Sequence, residues 1–343
     1  MLFKDIGEGD MMEQLMTEYI NYLKEIKRAS KNTIDSYVSD LKQVITYLEG
    51  LGIQNFDSVS ETNINSYLLN MEKQGMSSAS INRKLVAIRS FILFGIKRGY
   101  IHQDVTERIT PPKFEKKHPK GITVEQMEAL LNAPDLSTSR GRRDKAMLEL
   151  LYATGMKVSE LISLHIEDVV LKLMYVVVKE KTGERLLPFG HAAKEALIKY
   201  VEDRISADNK NADNKNENNK NADNKNEGNK NGSNLSAVNK NVIDSIEKIK
   251  DEPLFFNRFR EPLTRQGFWK ILKEYARKVG IEEEITPQVI RNSFAIHMLE
   301  NGADVYSLQE LLGHGDVSIT QRYTSQSAGK TREVYLRTHP RGK

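Results

Sequence analysis

A cysteine-free chain of 343 residues has room for two domains, each large enough to bury its own core, and excludes disulfides and thiolate metal sites. Its 51 basic and 47 acidic side chains leave a net charge of only +4, which does not by itself mark a nucleic-acid binder. No apolar run approaches the roughly 20 residues of a bilayer crossing, and Met1 to Asp10 lacks a signal's basic start and apolar centre, so a soluble, cytoplasmic protein with no membrane partner is expected.

The chain opens on helical patterning. Leu15, Tyr19, Tyr22, Leu23 and Ile26 form one apolar stripe. After Ser30 the positions Ile34, Tyr37, Val38, Leu41, Val44, Ile45 and Leu48 recur near a 3.6-residue period, and Gly50 follows as a stop. A short helix is expected over Glu61 to Glu72. Another begins near Ser78, with Ile81, Leu85, Ile88, Ile92 and Ile96 on one side and Asn82, Arg83 and Arg89 on the other. These four helices make a first domain over residues 11–101. Between Ser77 and Lys120 there are ten basic and three acidic residues, an excess that suits a surface tracking phosphates. A solvated helix face fits the charge equally well.

Residues 102–120, with Pro111, Pro112 and Pro119 and no apolar period, predict an extended linker. A second domain over 121–338 begins at Thr123, a helix cap, with helices following at about Glu125 to Leu131, Arg142 to Thr154 and Val158 to Leu164. Met174 to Val178 and Arg185 to Phe189 predict a β-hairpin turning over Lys179 to Glu184. Residues 207–231 are five tandem units, ADNKN, ADNKN, ENNKN, ADNKN and EGNKN, too polar to bury a core. They predict a disordered insertion over 207–240 inside the second domain, because Leu254 to Phe256 and Phe268 to Tyr275 resume globular patterning.

The segment ITPQVIRNSFAIHMLENGADVYSLQELLGHGDVSITQRYT, Ile285 to Thr324, carries the most specific signal. It resembles the C-terminal signature of Xer-type tyrosine recombinases of the phage integrase family, in which a His-x-x-Arg helix precedes Leu-Gly-His and a tyrosine nine residues on. Arg291, Leu312-Gly313-His314 and Tyr323 stand at those places. ATGMKVSEL (Ala153 to Leu161) resembles the family's first-arginine box, GERLLPFG the strand pair beside its lysine, SINRKLVAIRSF (Ser80 to Phe91) its core-binding domain, and HPRGK the usual ending.

The resemblance implies a mainly α fold with a small antiparallel β-sheet in the catalytic domain, arranged as a two-domain, C-shaped clamp on double-stranded DNA. It implies that Tyr323 attacks a phosphodiester to leave a 3′-phosphotyrosine, that Arg291 and His314 stabilise the phosphate, and that Lys181 protonates the departing 5′-oxygen, with Lys179 as runner-up. No cofactor and no metal is needed, because the phosphotyrosine conserves the bond energy. Arg83, Lys84 and Arg89 become DNA-binding candidates. By the same resemblance four protomers, as a homo- or hetero-tetramer, exchange strands through a Holliday junction, and a segment near Arg332 to Leu336 docks on a neighbour. Chromosome partition and DNA integration both fit.

Two positions depart from the pattern: Lys157 replaces the first arginine and Gln288 replaces the histidine of His-x-x-Arg. Lysine keeps charge but loses the bidentate fork, and glutamine cannot exchange a proton near pH 7. These losses keep a second reading open, a weakened or inactive DNA-binding paralogue; a type IB topoisomerase would share the chemistry. Glu160 is expected to support Lys157 from the next turn, and His297 to be structural.

Overall fold

The chain divides into two units, Met1–Lys117 and His118–Lys343. The computed structural model describes residues 8–111, 119–180, 183–217, 251–281, 284–314 and 337–341. The first unit holds α1 (Glu8–Glu25), α2 (Lys31–Glu49), α3 (Glu61–Lys73) and α4 (Ser78–Arg98). Serines start three of them: Ser30, Ser60 and Ser77 stay extended and accept from the N–H three residues on, at 3.2, 3.3 and 3.3 Å. The inward stripes meet around Tyr19, whose ring lies edge-on to Phe91 (5.2 Å) and whose hydroxyl donates to Ser90 Oγ at 2.8 Å.

The stretch expected to be an extended linker behaves differently over its first half. Residues 105–108 turn, Thr106 and Ile109 are buried, and Arg89 Nη2 donates to the carbonyls of Thr106 (2.7 Å) and Ile109 (3.1 Å). Two isolated apolar anchors, Ile101 and Ile109, draw this segment onto the first core, a signal too sparse to register as a period. Residues 112–118 lie outside those described.

The second unit contains α5 (Val124–Asn132), α6 (Ser139–Thr154) and α7 (Val158–Ser163), then β1 (Val169–Val170), β2 (Tyr175–Glu180) and β3 (Gly183–Pro188). It continues with α8 (His191–Glu217), α9 (Arg265–Lys278), α10 (Pro287–Glu300) and α11 (Val305–Leu312). Helix α6 is buried on every side from Ala146 to Thr154, so it shows little amphipathic period, as a central helix should. The strands form an antiparallel sheet in the order β1-β2-β3. The hairpin is longer than expected: Lys179 pairs with Glu184 and Glu180 with Gly183, leaving only 181–182 at the tip. Opposite charges facing each other across the ladder favour this extension.

Helix α8 also corrects an expectation, because it runs to Glu217 through the first two repeat units. Extending a helix already nucleated over His191–Ser206 costs far less than starting one, so even a polar repeat can continue it. The rest of the insertion, 218–240, lies outside the described residues.

The HPRGK ending packs on its own unit. His339 is buried against the rings of Tyr152 and Phe294, its Nε2–H donates to the Tyr152 carbonyl at 3.2 Å, and its Nδ1 accepts from Arg341 N at 3.1 Å. Arg341 pairs with Glu149 on α6. His297 is structural, as expected: Nε2–H donates to the Ile122 carbonyl (3.0 Å) and Nδ1 accepts from Tyr152 Oη (2.8 Å). Burial pushes the pKa of His297 below the ordinary value and that of His339 down to about 3. The unfolded chain thus binds more protons below about pH 6.5, so this stability is complete above that pH and is lost as pH falls toward the folded values. The expected loss for His339 is about 1.4 kcal/mol per pH unit between roughly pH 6 and 4. Thermal melts of the native chain and His339→Gln across that range check it; equal slopes would refute the coupling.

Candidate active site

Arg291 sits one turn into α10, whose start is fixed by Thr286 as N-cap and Pro287 at the first position. Its side chain is only 3% exposed. Nη1 donates to the Gly155 carbonyl at 2.7 Å, Nη2 donates to the Leu312 carbonyl, and Nη2 also lies 3.1 Å from His314 Nε2. Because a guanidinium only donates, His314 accepts at Nε2, as a neutral imidazole does. Two left-handed glycines make these approaches possible. Gly155 ends α6 at φ +60°, where a Cβ would strike the Phe294 ring at 2.2 Å, and Gly313 ends α11 at φ +62°.

Lys157 follows on the same loop and precedes α7. Its Nζ lies 3.3 Å from Glu160 Oε1, and its N–H donates to Glu160 Oε2 at 2.7 Å. Glu160 therefore supports Lys157 from the next turn, and the lysine, 49% exposed, stays open to solvent. Gln288 is exposed on the first turn of α10 and donates to Asn292 Oδ1 at 2.9 Å; Asn292 in turn donates to the Lys120 carbonyl. The structure thus joins Arg291, His314 and the loop bearing Lys157, with Gln288 one turn before Arg291.

On the hairpin, Lys179 Nζ reaches Asp168 Oδ1 at 3.0 Å and Glu167 Oε1 at 3.3 Å. Hydrogen bonding to Asp168, reinforced by its charge, raises the Lys179 pKa above the ordinary lysine value. A lysine held this way gives up its proton less readily. Lys181 and Tyr323 lie outside the described residues, as does the Arg332 to Leu336 segment.

The three DNA-binding candidates fare unequally. Lys84 is 2% exposed, with Nζ 3.0 Å from Asp40 Oδ1 and 2.7 Å from Gln43 Oε1. It is a buried counter-ion, not a surface cation, because buried Asp40 demands a partner more strongly than solvent attracts the ammonium. Arg89 spends its fork on the carbonyls of the 106–109 turn. Arg83 also pairs with Asp40 but keeps a half-exposed side chain.

One site residue escaped the sequence reading. Arg185 on β3 points inward between the outward Glu184 and Leu186, and is 8% exposed. Its signal was a charge at a position where strand alternation calls for an apolar side chain.

The family comparisons agree with this geometry. Residues 120–330 match the phage integrase family, and residues 16–99 match the phage integrase N-terminal SAM-like domain. The tyrosine recombinase XerD of Staphylococcus epidermidis is 37% identical over 331 residues, which is 96% of this chain and all of the relative. That of Staphylococcus haemolyticus is 38% identical over the same shares. Among solved structures, the XerH site-specific recombinase bound to palindromic difH substrate is similar with a TM-score of 0.64 at 17% identity, covering 90% of this chain and 80% of that one. A lambda integrase (75-356) dimer bound to a COC′ core site gives 0.61 at 17%, covering 93% and 98%. At such identities these structures speak for the fold.

A mainly helical chain with a three-stranded antiparallel sheet and a buried arginine beside a partly buried histidine belongs, with these matches, to the phage integrase family. Within that family it is a Xer-type tyrosine recombinase. Its activity is site-specific DNA recombination. Among the described residues no helix is long and apolar enough to cross a membrane.

Proposed function

We propose that the chain cleaves and rejoins DNA through a 3′-phosphotyrosine at Tyr323, acting in the cytoplasm as a homo- or hetero-tetramer that passes through a Holliday junction. The observation that carries this reading is the fixed plane of Arg291, held by the carbonyls of Gly155 and Leu312 beside His314. A guanidinium fixed in this way holds its positive charge toward the equatorial oxygens of a phosphate under attack with little reorganisation. The Tyr323 oxygen, its phenolic proton released to solvent, bonds to phosphorus as the bond to the 5′-oxygen breaks, and Lys181 supplies the proton that oxygen needs. Lys157 adds charge at the same phosphate. Gln288 hydrogen-bonds there without exchanging a proton. Arg83 and the partly buried Arg89 contact DNA from the first unit, whereas the buried Lys84 shapes the surface from within. Chromosome-dimer resolution suits the XerD relatives, and DNA integration uses the same chemistry.

The test is covalent trapping. A duplex site selected by the full chain from a random-sequence library is rebuilt with a nick just 3′ of the scissile phosphate, so that the cleaved fragment diffuses away. A protein–DNA adduct should accumulate, and its nucleotide-bearing peptide should contain Tyr323. An adduct formed equally by Tyr323→Phe refutes the assignment.

A further inference from the structure

A buried guanidinium needs partners for its charge and its N–H groups, and Arg185 is answered by carboxylates from two separate elements. Nη2 donates to Glu160 Oε2 on α7 at 2.9 Å. Nη1 lies 2.7 Å from Glu180 Oε1 on β2 but off the N–H direction, so that contact is ionic without being a directed hydrogen bond. The same Nη1 presses on a third element. A Cβ added at Gly313 would fall 1.4 Å from it, so the corner ending α11 can approach only because residue 313 is glycine.

Each of these contacts leads to a different functional group. Glu160 holds Lys157 by both its Nζ and its N–H. Glu180 pairs with Gly183 at the base of the turn whose tip is 181–182. Gly313 links Leu312, whose carbonyl fixes Arg291, to His314. Arg185 thus joins, through one rigid plane, the first cationic loop, the hairpin and the histidine corner.

We infer that Arg185 is a positioning residue that sets the hairpin against the Gly313–His314 corner, so that the proton donor and the phosphate-binding cations converge on one phosphate. The inference rests on the roles proposed above for Lys181 and His314. A displacement of about 1 Å between such groups can cost on the order of 10²-fold in rate. The planar fork matters because it meets the two carboxylates with two separate nitrogens, Nη2 and Nη1, where a lysine would have to meet both with one.

The experiment measures single-turnover cleavage by the full chain on two forms of the selected nicked duplex. One carries oxygen and the other sulfur at the bridging 5′ position. A departing 5′-thiolate is stable without a proton, so the sulfur duplex bypasses the proton donor. Arg185→Met should cleave the oxygen duplex about 10²-fold more slowly, with duplex affinity changed by less than about threefold. On sulfur it should regain most of that loss, as Lys181→Ala does, whereas Arg291→Ala stays slow on both. Arg185→Lys should fall between. Should the lone methionine leave Glu180 unpaired and the protein poorly folded, Arg185→Met with Glu180→Gln restores the charge balance and carries the same comparison. Native rates on oxygen for either folded variant, or equal slowness on both duplexes, overturns the inference. If Lys181→Ala is not rescued by sulfur while Arg185→Met is, the donor assignment falls and the positioning role stands.

Discussion

Arg291→Lys is expected to slow single-turnover cleavage of the selected duplex by roughly 10²- to 10³-fold, the usual cost of losing one preset donor to a developing oxyanion. The reason lies in what the guanidinium does at once. It bonds the carbonyls of Gly155 and Leu312 and touches His314, so its plane is decided before any phosphate arrives. A lysine at 291 keeps the charge, yet a single ammonium cannot hold the Gly155 and Leu312 carbonyls in one fixed plane beside His314. Affinity for the intact duplex should change little, since contacts along the DNA backbone supply most of it. Both quantities are measured on one protein preparation below its melting temperature. Cleavage at the native rate by Arg291→Lys would remove Arg291 from the phosphate site.

Much of this site was legible because its parts are close in sequence. Arg291 on α10 and His314, just past the end of α11, stand at a fixed motif spacing, and Glu160 meets Lys157 through an i, i+3 relation that helical geometry alone dictates. Helix starts were legible for the same reason, since a cap is a contact across three residues. What escaped is long-range. Lys84 looked like a surface cation because Asp40, which buries it, lies 44 residues away. Arg185 looked like part of an apolar strand because Glu160 lies 25 residues upstream and the Gly313 corner is far downstream. Helix α8 enters the insertion expected to be disordered because composition describes each repeat in isolation, while helix propagation depends on the structured segment before it.

The two departures from the family pattern carry the last expectation. Lys157 carries a half-exposed side chain tied to Glu160, on the loop whose Gly155 carbonyl holds Arg291, and Gln288 stands one turn before Arg291, bonded to Asn292. Lys157→Arg should add a second bidentate donor to the same phosphate, with Glu160 already placed to receive the new fork's far edge. Gln288→His should add a group able to take the phenolic proton of Tyr323, which glutamine cannot do near pH 7. Because both changes act on one transition state, their effects should be coupled and not additive. The double reversion should raise cleavage by roughly 10- to 10³-fold, which corresponds to about 1.4–4 kcal/mol of barrier. Duplex affinity should stay near the native value. Single-turnover cleavage by the native chain, both single variants and the double variant on one nicked duplex decides the matter. A double variant that binds tightly and still forms no adduct would favour a DNA-binding paralogue over a weakened recombinase, because the missing groups would then not be what limits the chemistry.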